Sequence, residues 1–190
     1  MNKWKVAFLL LAGTVLFFIV SIFYFATADV NQASIKEPLP LEGNILSVET
    51  TAREFEAIAK QYLIAAMDQS PLPLELVVDD KIYLYSTLTA FNVEIPIQMD
   101  FSPVVKNGNI ILEQEAVHVG KWNIPPKTVL KLVEDAVDFP TWITVRPNDE
   151  EIFVDLSRIN IASGSRVRAK EIDLPNDKIV LEVVIPNETK

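Results

Sequence analysis

The sequence predicts an α+β fold, a curved antiparallel sheet wrapped on two helices and preceded by one transmembrane helix. Three observations predict it. A charge-free apolar run lies near the N-terminus, and two stretches carry apolar residues at helical spacing, one after residue 51 and one after residue 125. Most of the remaining chain alternates apolar and polar residues with a period of two. Helices packed on one face of an antiparallel sheet define the α+β class.

The apolar run spans Val6–Phe25, twenty residues without a charge or a proline. At a rise of about 1.5 Å per residue it reaches about 30 Å, the thickness of the hydrocarbon core of a bilayer. Lys3 and Lys5 precede the run and Asp29 follows it. Basic residues stay on the cytoplasmic side, so a single-pass protein of the cell membrane is expected, with its N-terminus in the cytoplasm and the later residues outside.

A cleaved signal peptide is the alternative, because Ala26-Thr27-Ala28 has the small-x-small form of a cleavage site. The apolar cores of signal peptides run to about 7–15 residues, shorter than this one. The length therefore favours an uncleaved anchor within residues 1–28, and cleavage after Ala28 stays open.

Charge restricts the possible partners. The chain has 17 Lys+Arg and 26 Asp+Glu; without Lys3 and Lys5 the remainder is 15 against 26, a net charge of −11. This negative charge argues against binding of nucleic acid and against adhesion to anionic lipid headgroups. Any contact of the domain with a membrane would therefore have to be apolar and local. The absence of cysteine excludes disulfides and thiolate metal sites.

Residues 29–47 contain two prolines and no clear period, so they are predicted to be a tether. A flexible chain of that length spans on the order of 25 Å. Residues 48–190 are predicted to form one extracytoplasmic α+β domain, since their number suits a single core.

The first helix of this domain begins at Thr51, where Thr51 and Glu54 have the spacing of a capping box. Its apolar stripe follows at three- and four-residue spacing, and a proline-rich segment ends the helix. The stripe consists of Phe55, Ile58, Ala59, Tyr62, Leu63 and Ala66.

Strands surround a second helix, which begins at Pro125-Pro126 and ends near Val137. Asn107-Gly108 is typical of a type I′ hairpin turn, and Pro96 suggests an edge or a bulge. The predicted strands are Leu74–Val78, Ile82–Thr89, the alternating run 92–101, Ile110–Val119, Trp142–Arg146, Ile152–Ser157, Ser165–Asp173 and Ile179–Ile185.

The search for catalytic chemistry finds no convincing site. His118 is the only histidine, and a zinc site without cysteine and with one histidine is not expected. Glu113 and Glu115 share a predicted strand face with Val117 and Val119, where a solvated surface is favoured over a glycosidase pair. Residues 148–151 are predicted to be a hairpin loop rather than a calcium loop. No catalytic residue, metal or cofactor is predicted, and the protein is expected not to be an enzyme.

Two features leave a binding role open. Arg166, Arg168 and Lys170 form a basic strip that guards a sheet edge or meets a phosphate, the first being favoured. Apolar residues near the second helix either pack as core or line a groove that would take an acyl chain. The candidate groove residues are Phe91, Met99, Phe101, Trp122, Leu130, Val133, Val137 and Trp142.

Four parts of the sequence carry a family resemblance: the anchor, TAREFEAIAKQYL, FNVEIPIQMDFSPVVKNGNIILEQEAVHVGKWNIPPKTVLKLV and FPTWITVRPNDEEIFVDLSRI. Together they resemble the YpmS-like family of Gram-positive bacteria over nearly the whole chain. That family is functionally uncharacterised. The layout around Gly108, Gly120, Pro125 and the hairpin Val145–Val154 is also similar to tubular lipid-binding (TULIP-like) envelope domains. This second resemblance implies a curved sheet around a helix, with a tunnel that takes lipid.

The leading hypothesis is a non-enzymatic, membrane-anchored domain that binds lipid or another amphiphile in an apolar groove. The alternative is an interaction or scaffold module of a cell-envelope complex, with a protein partner and a fully packed core. A wall-glycan hydrolase that uses paired carboxylates ranks last.

Overall fold

The structure, a computed structural model, describes residues 3–27, 29, 34–35, 37–39, 43–67, 73–90, 93–120, 122–161 and 164–187. The chain divides into two compact units, Met1–Asn31 and Gln32–Lys190. The described strands all lie in the second unit, together with two of the three described α-helices.

Helix α1 (Lys3–Thr27) forms most of the first unit. The Thr14 hydroxyl donates to the carbonyl oxygen of Leu10 at 2.9 Å, so this polar group is satisfied within the helix, as an apolar surrounding requires. The part Lys3–Ser21 is long and apolar enough to cross a membrane. A helix of this kind at an N-terminus is typical of a membrane anchor or of a signal sequence.

The second unit has the predicted α+β architecture, with two helices and two antiparallel sheets that curve without closing. Three short 3-10 helices lie in its loops, at Pro147–Asp149, Leu156–Arg158 and Leu174–Asn176. The other elements are β1 (Asn44–Thr50), α2 (Ala52–Met67), β2 (Leu74–Val78), β3 (Ile82–Ala90), β4 (Val93–Lys106), β5 (Asn109–Val119), β6 (Trp122–Asn123), α3 (Pro126–Ala136), β7 (Ile143–Arg146), β8 (Glu151–Val154), β9 (Arg166–Asp173) and β10 (Lys178–Ile185).

The larger sheet has the strand order β2-β3-β4-β5-β8-β7, with β6 attached to β5. Its register places Leu84 beside Met99 and Met99 beside Val117. Side chains that oppose each other in a ladder share a face, so the apolar positions of successive strands form one continuous inner face. The β4–β5 ladder begins at Ile97, so Pro96 lies where β4 has a neighbouring strand on one side only.

The smaller sheet has the order β1-β10-β9, and it corrects the predicted end of the tether. Residues 44–47 were assigned to a tether that ended at residue 47, but they belong to β1 and pair with the end of β10. Leu46 opposes Val183 and Val48 opposes Leu181. The partner strand lies at the far end of the chain, so local composition did not reveal the pairing.

Two turns form as the sequence predicted. Asn107 and Gly108 have φ values of 52° and 79°, the double positive φ that a type I′ turn requires. The hairpin loop between β7 and β8 comprises residues 147–150, and Glu151 of the predicted loop 148–151 already begins β8. Glu150 adopts the left-handed conformation at φ 54°. The tip of the first hairpin also joins the two sheets, because Ala169 N donates to the Gly108 carbonyl oxygen at 2.8 Å.

The predicted cap of α2 forms in a modified version. Glu54 N donates to the Thr51 hydroxyl at 3.3 Å, as in a capping box, whereas the Glu54 carboxylate accepts from the Thr50 hydroxyl at 3.0 Å. A third residue from the other end of the chain adds to it, since Ala52 N donates to Asp177 Oδ1 at 2.7 Å. The start of α2 is therefore fixed against the smaller sheet.

Candidate ligand cavity

Helix α2 turns its apolar stripe toward a cavity in the second unit. Phe55, Ile58, Ala59, Tyr62 and Leu63 recur at intervals that place them on one helical face, and all five line the cavity. Its volume is about 330 Å³, which lies within the range of about 300–1,000 Å³ found for small-molecule pockets.

The two sheets supply the other walls. The lining surface is apolar, and Tyr62 and Trp142 are the lining residues that also carry a polar group. Leu181 and Val183 of β10 and Val167 of β9 come from the smaller sheet. The larger sheet contributes inward-facing side chains from five of its strands: Leu74, Leu76, Ile82, Leu84, Ile110, Leu112, Ile143, Ile152 and Val154.

The cavity opens to solvent between β1, α2 and the loop that follows β8. Val48, Ile58 and Ile161 line it and are nevertheless 39%, 53% and 42% exposed. Leu46 lies two residues before Val48 on the same face of β1 and is 56% exposed. These four residues, Leu46, Val48, Ile58 and Ile161, are called the rim.

One of the eight sequence-predicted groove residues, Trp142, lines this cavity. The structure describes neither Phe91 nor the side chain of Trp122, which lies in β6. The other five have exposures between 0% and 5% and pack in the hydrophobic core instead: Met99, Phe101, Leu130, Val133 and Val137.

The expected groove beside the second helix is therefore occupied by packed side chains. Helix α3 buries Val129, Leu130 and Val133 completely and leaves Leu132 exposed. The cavity lies beside α2, whose stripe is only partly covered. Both helices show apolar residues at helical spacing in the sequence, and this pattern does not distinguish a stripe that packs tightly from one that borders a cavity.

A buried polar network beside the cavity escaped the sequence analysis. Asp155 is buried and accepts hydrogen bonds from the Ser157 amide, the Ser157 hydroxyl and Arg158 Nε. Leu156 N donates to Asn109 Oδ1 at 2.9 Å. These bonds fix the 3-10 helix Leu156–Arg158, of which Leu156 lines the cavity. An Asp followed by Ser two residues later is a capping signal that could have indicated this turn.

The same 3-10 helix binds the chain that leads into the domain. Leu39 N donates to the Ser157 hydroxyl at 2.9 Å, and Arg158 donates to the Glu37 carbonyl oxygen at 3.1 Å. Residues 37–39 were predicted to be part of the tether. They instead contact the domain next to the cavity wall.

Glu56 connects α2 to the larger sheet. Its carboxylate accepts from Lys60 Nζ at 2.7 Å and from the backbone N–H of Val78 at 2.7 Å. The Lys60 bond, followed by the Val78 bond, lowers the pKa of Glu56 below its ordinary value of 4.5. The charge therefore lies outside the apolar lining, although it fixes the helix that carries part of that lining.

The carboxylates considered for catalysis lie on the other face of the larger sheet. A β-bulge at Glu115 makes Asp100 oppose Ala116 and Phe101 oppose Gln114. Val117 is buried, whereas Glu113 and Glu115 are exposed, so the prediction that these residues share one face was wrong. Hydrogen bonds from Lys81 and then from Ser102 lower the pKa of Glu115.

His118 lies on this outer surface. Its side chain is 46% exposed, and Nε2 lies 3.9 Å from Asp100 Oδ2. Within the part of the chain that the structure describes, no three His, Asp or Glu side chains are grouped so as to hold a metal ion.

The basic strip of β9 divides into two parts. Arg168 Nε and Lys170 Nζ lie 2.6 Å and 3.5 Å from the Glu182 carboxylate, and Arg168 is the largest cause of the lowered pKa of Glu182. Arg166 instead donates to the carbonyl oxygen of Ser157 at 3.0 Å. It therefore lies beside the 3-10 helix that borders the cavity.

Comparison with known sequences places the chain in a family. Residues 2–185 match the family described as "Uncharacterized protein conserved in bacteria (DUF2140)". The chain belongs to the DUF2140 family. It is 27% identical over 189 residues to the "Uncharacterized protein YpmS" of Bacillus subtilis (strain 168), a match that covers 99% of this chain and 100% of that protein. These two matches confirm the resemblance to the YpmS-like family. No solved structure matches the chain.

Proposed function

We propose that this DUF2140 protein binds the acyl chain of a lipid or of another amphiphile in the cavity beside α2. The observation that carries the proposal is the cavity itself, about 330 Å³ in volume and apolar on every wall. An acyl chain would gain dispersion contacts along such a lining without requiring a hydrogen bond. The opening at the rim provides the way in.

The proposed role of the protein is binding without catalysis. The Tyr62 hydroxyl and the Trp142 indole are the polar groups among the lining side chains, and neither is a base at neutral pH. The carboxylates Glu113 and Glu115 lie on the outer face of the larger sheet, away from the lining. A site of this composition favours retention of an apolar group over acid–base chemistry.

The proposal also treats α1 as an uncleaved anchor in the cell membrane. Lys3 and Lys5 precede the apolar stretch and Asp29 follows it, a charge distribution that favours a cytoplasmic N-terminus and an extracytoplasmic domain. Membrane lipids would then be the first ligands available to the cavity.

A pair of matched substitutions on α2 tests the proposal. Ala59 faces the cavity and Ala57 faces solvent two residues earlier, so Ala59→Phe fills the cavity whereas Ala57→Phe leaves it unchanged. The full chain is reconstituted in phospholipid vesicles that contain a phospholipid with a photoreactive diazirine in its acyl chain. After illumination, mass spectrometry maps the labelled peptides.

The expected result is labelling of lining peptides in α2 and around Trp142, strongly reduced by Ala59→Phe and unchanged by Ala57→Phe. Labelling confined to α1, or equal labelling of both variants, would overturn the proposal. Thermal unfolding of each variant shows whether it is folded, so a loss of labelling through misfolding is recognised.

A further inference from the structure

The rim groups exposed apolar side chains at the opening of the cavity, in a chain whose net charge after the apolar run is −11. Leu46, Ile58 and Ile161 are each more than two-fifths exposed, and Val48 is nearly so. They come from a strand, a helix and a loop that meet at the opening of the cavity. Contiguous exposed apolar surface beside a cavity is typical of a surface that contacts another apolar phase or partner.

The route of the chain restricts where the rim can be. Residues 37–39 are bound to the 3-10 helix Leu156–Arg158, and Ile161 of the rim follows that helix by three residues. Only residues 28–36 lie between the end of α1 and Glu37. The chain therefore enters the domain at the side where the cavity opens.

Charge selects the kind of surface that fits the rim. A net charge of −11 after the apolar run makes broad electrostatic adhesion to a membrane unfavourable, so contact has to be apolar and confined to a small area. Arg166, bonded to the Ser157 carbonyl oxygen beside the rim, provides a cation at that place. Apolar side chains next to an arginine suit a phospholipid surface, where phosphates lie above acyl chains.

We propose that the rim docks onto a phospholipid bilayer, so that the cavity opens toward the membrane and exchanges acyl chains with it directly. Leu46, Val48, Ile58 and Ile161 enter the interfacial region, and Arg166 contacts a lipid phosphate. This inference rests on the proposed function, because it supplies the route by which the cavity is filled.

Because the chain has no cysteine, one introduced cysteine gives a unique labelling site. Leu46→Cys places a fluorophore on the rim, and Leu132→Cys, at an exposed position of α3 (60% exposed), is the matched control. Each full-length variant is reconstituted in phosphatidylcholine vesicles with phosphatidylglycerol as a minor component. A nitroxide on the lipid acyl chain and aqueous iodide serve as quenchers.

Docking predicts nitroxide quenching at residue 46 on the order of threefold stronger than at residue 132, since docked apolar side chains enter by about 5–10 Å. Iodide quenching should show the reverse order. Equal nitroxide quenching at both residues would overturn the docking proposal, because a domain held only by its tether exposes both probes to lipid alike.

The two proposals fail separately. If the diazirine lipid labels the cavity but residues 46 and 132 are quenched equally, the cavity binds lipid and the docking proposal is rejected. If residue 46 is quenched selectively but the cavity is not labelled, the rim docks and the proposed function is rejected.

Discussion

Glu56 provides a direct test of how α2 is held over the cavity. In Glu56→Ala the backbone N–H of Val78, a residue that is 6% exposed, loses its acceptor. A hydrogen bond to a charged group contributes about 1.5–3 kcal/mol, and leaving a buried donor unpaired costs a similar amount. The expected loss of stability is about 2 kcal/mol, which corresponds to a fall in Tm of about 4–8 °C for a chain of this size.

Lys60→Gln is the matched control, because it removes the other bond to the same carboxylate. The Lys60–Glu56 pair is separated by four residues on the helix surface, with side chains 34% and 21% exposed. Such pairs contribute about 0.3–0.5 kcal/mol. Thermal unfolding of the full chain in a mild detergent, followed by tryptophan fluorescence, should therefore show a much smaller effect for Lys60→Gln. Equal losses for the two variants would refute the assignment of the stability to the Val78 bond.

The same site predicts the direction of a pH effect. The pKa of Glu56 is lowered in the folded protein relative to its ordinary value of 4.5. The stabilisation is therefore present above pH 4.5 and is lost as the pH falls through the folded pKa. The difference in stability between wild type and Glu56→Ala should shrink on acidification. A difference that stays constant or grows would contradict the assignment of a charged acceptor.

Three further changes test other parts of the fold. Gly43→Ala should destabilise the start of β1 in thermal unfolding, because residue 43 has φ 156° and a Cβ there would lie 2.1 Å from the Ile185 carbonyl oxygen. Gly13→Ala is the control and should be neutral, because a Cβ at residue 13 would have no atom within 4 Å. Asp177→Ala should cost about 1–2 kcal/mol in the same assay, because Ala52 N loses its acceptor; Asp177→Asn should cost less, since Asn keeps an oxygen and tolerates φ 51°. The hydrogen bond to the Asp80 carboxylate raises the pKa of Tyr83 to about 12. Asp80→Asn should therefore lower the pKa of Tyr83 toward 10.0 in a spectrophotometric titration. An unchanged titration midpoint would exclude Asp80 as the cause of the raised pKa.

The elements that the sequence predicted well are those whose signals are local. The cap at Thr51, the proline start of α3 and the turn at Asn107-Gly108 depend on residues within one turn of each other, and backbone geometry alone decides them. Strand β1 depends on β10, more than 130 residues later. This pairing leaves no signal in the sequence near β1, so residues 44–47 are predicted from the sequence to be part of a tether.

The site was harder to predict than the fold for two physical reasons. One extra residue at Glu115 reverses the faces of the rest of β5, and alternation in the sequence cannot show where a bulge falls. The second reason is that an apolar stripe predicts which helix face turns inward, but does not predict whether that face packs in the core or lines a cavity. Leu130 of α3 and Leu63 of α2 look equivalent in the sequence, yet the first is fully buried in the core and the second lines the cavity.

The apolar surface that remains around α2 is costly in water. Exposed apolar area loses about 25 cal/mol per Å² relative to burial, and the rim exposes four aliphatic side chains at the mouth of the cavity. Elsewhere the same chain packs apolar side chains closely, as Leu130 of α3 does in the core. The net negative charge after the apolar run makes broad contact with an anionic surface unfavourable, so the docking proposed above depends on the small apolar rim. The docking proposal would give the cavity, the rim and the attachment of residues 37–39 a common explanation.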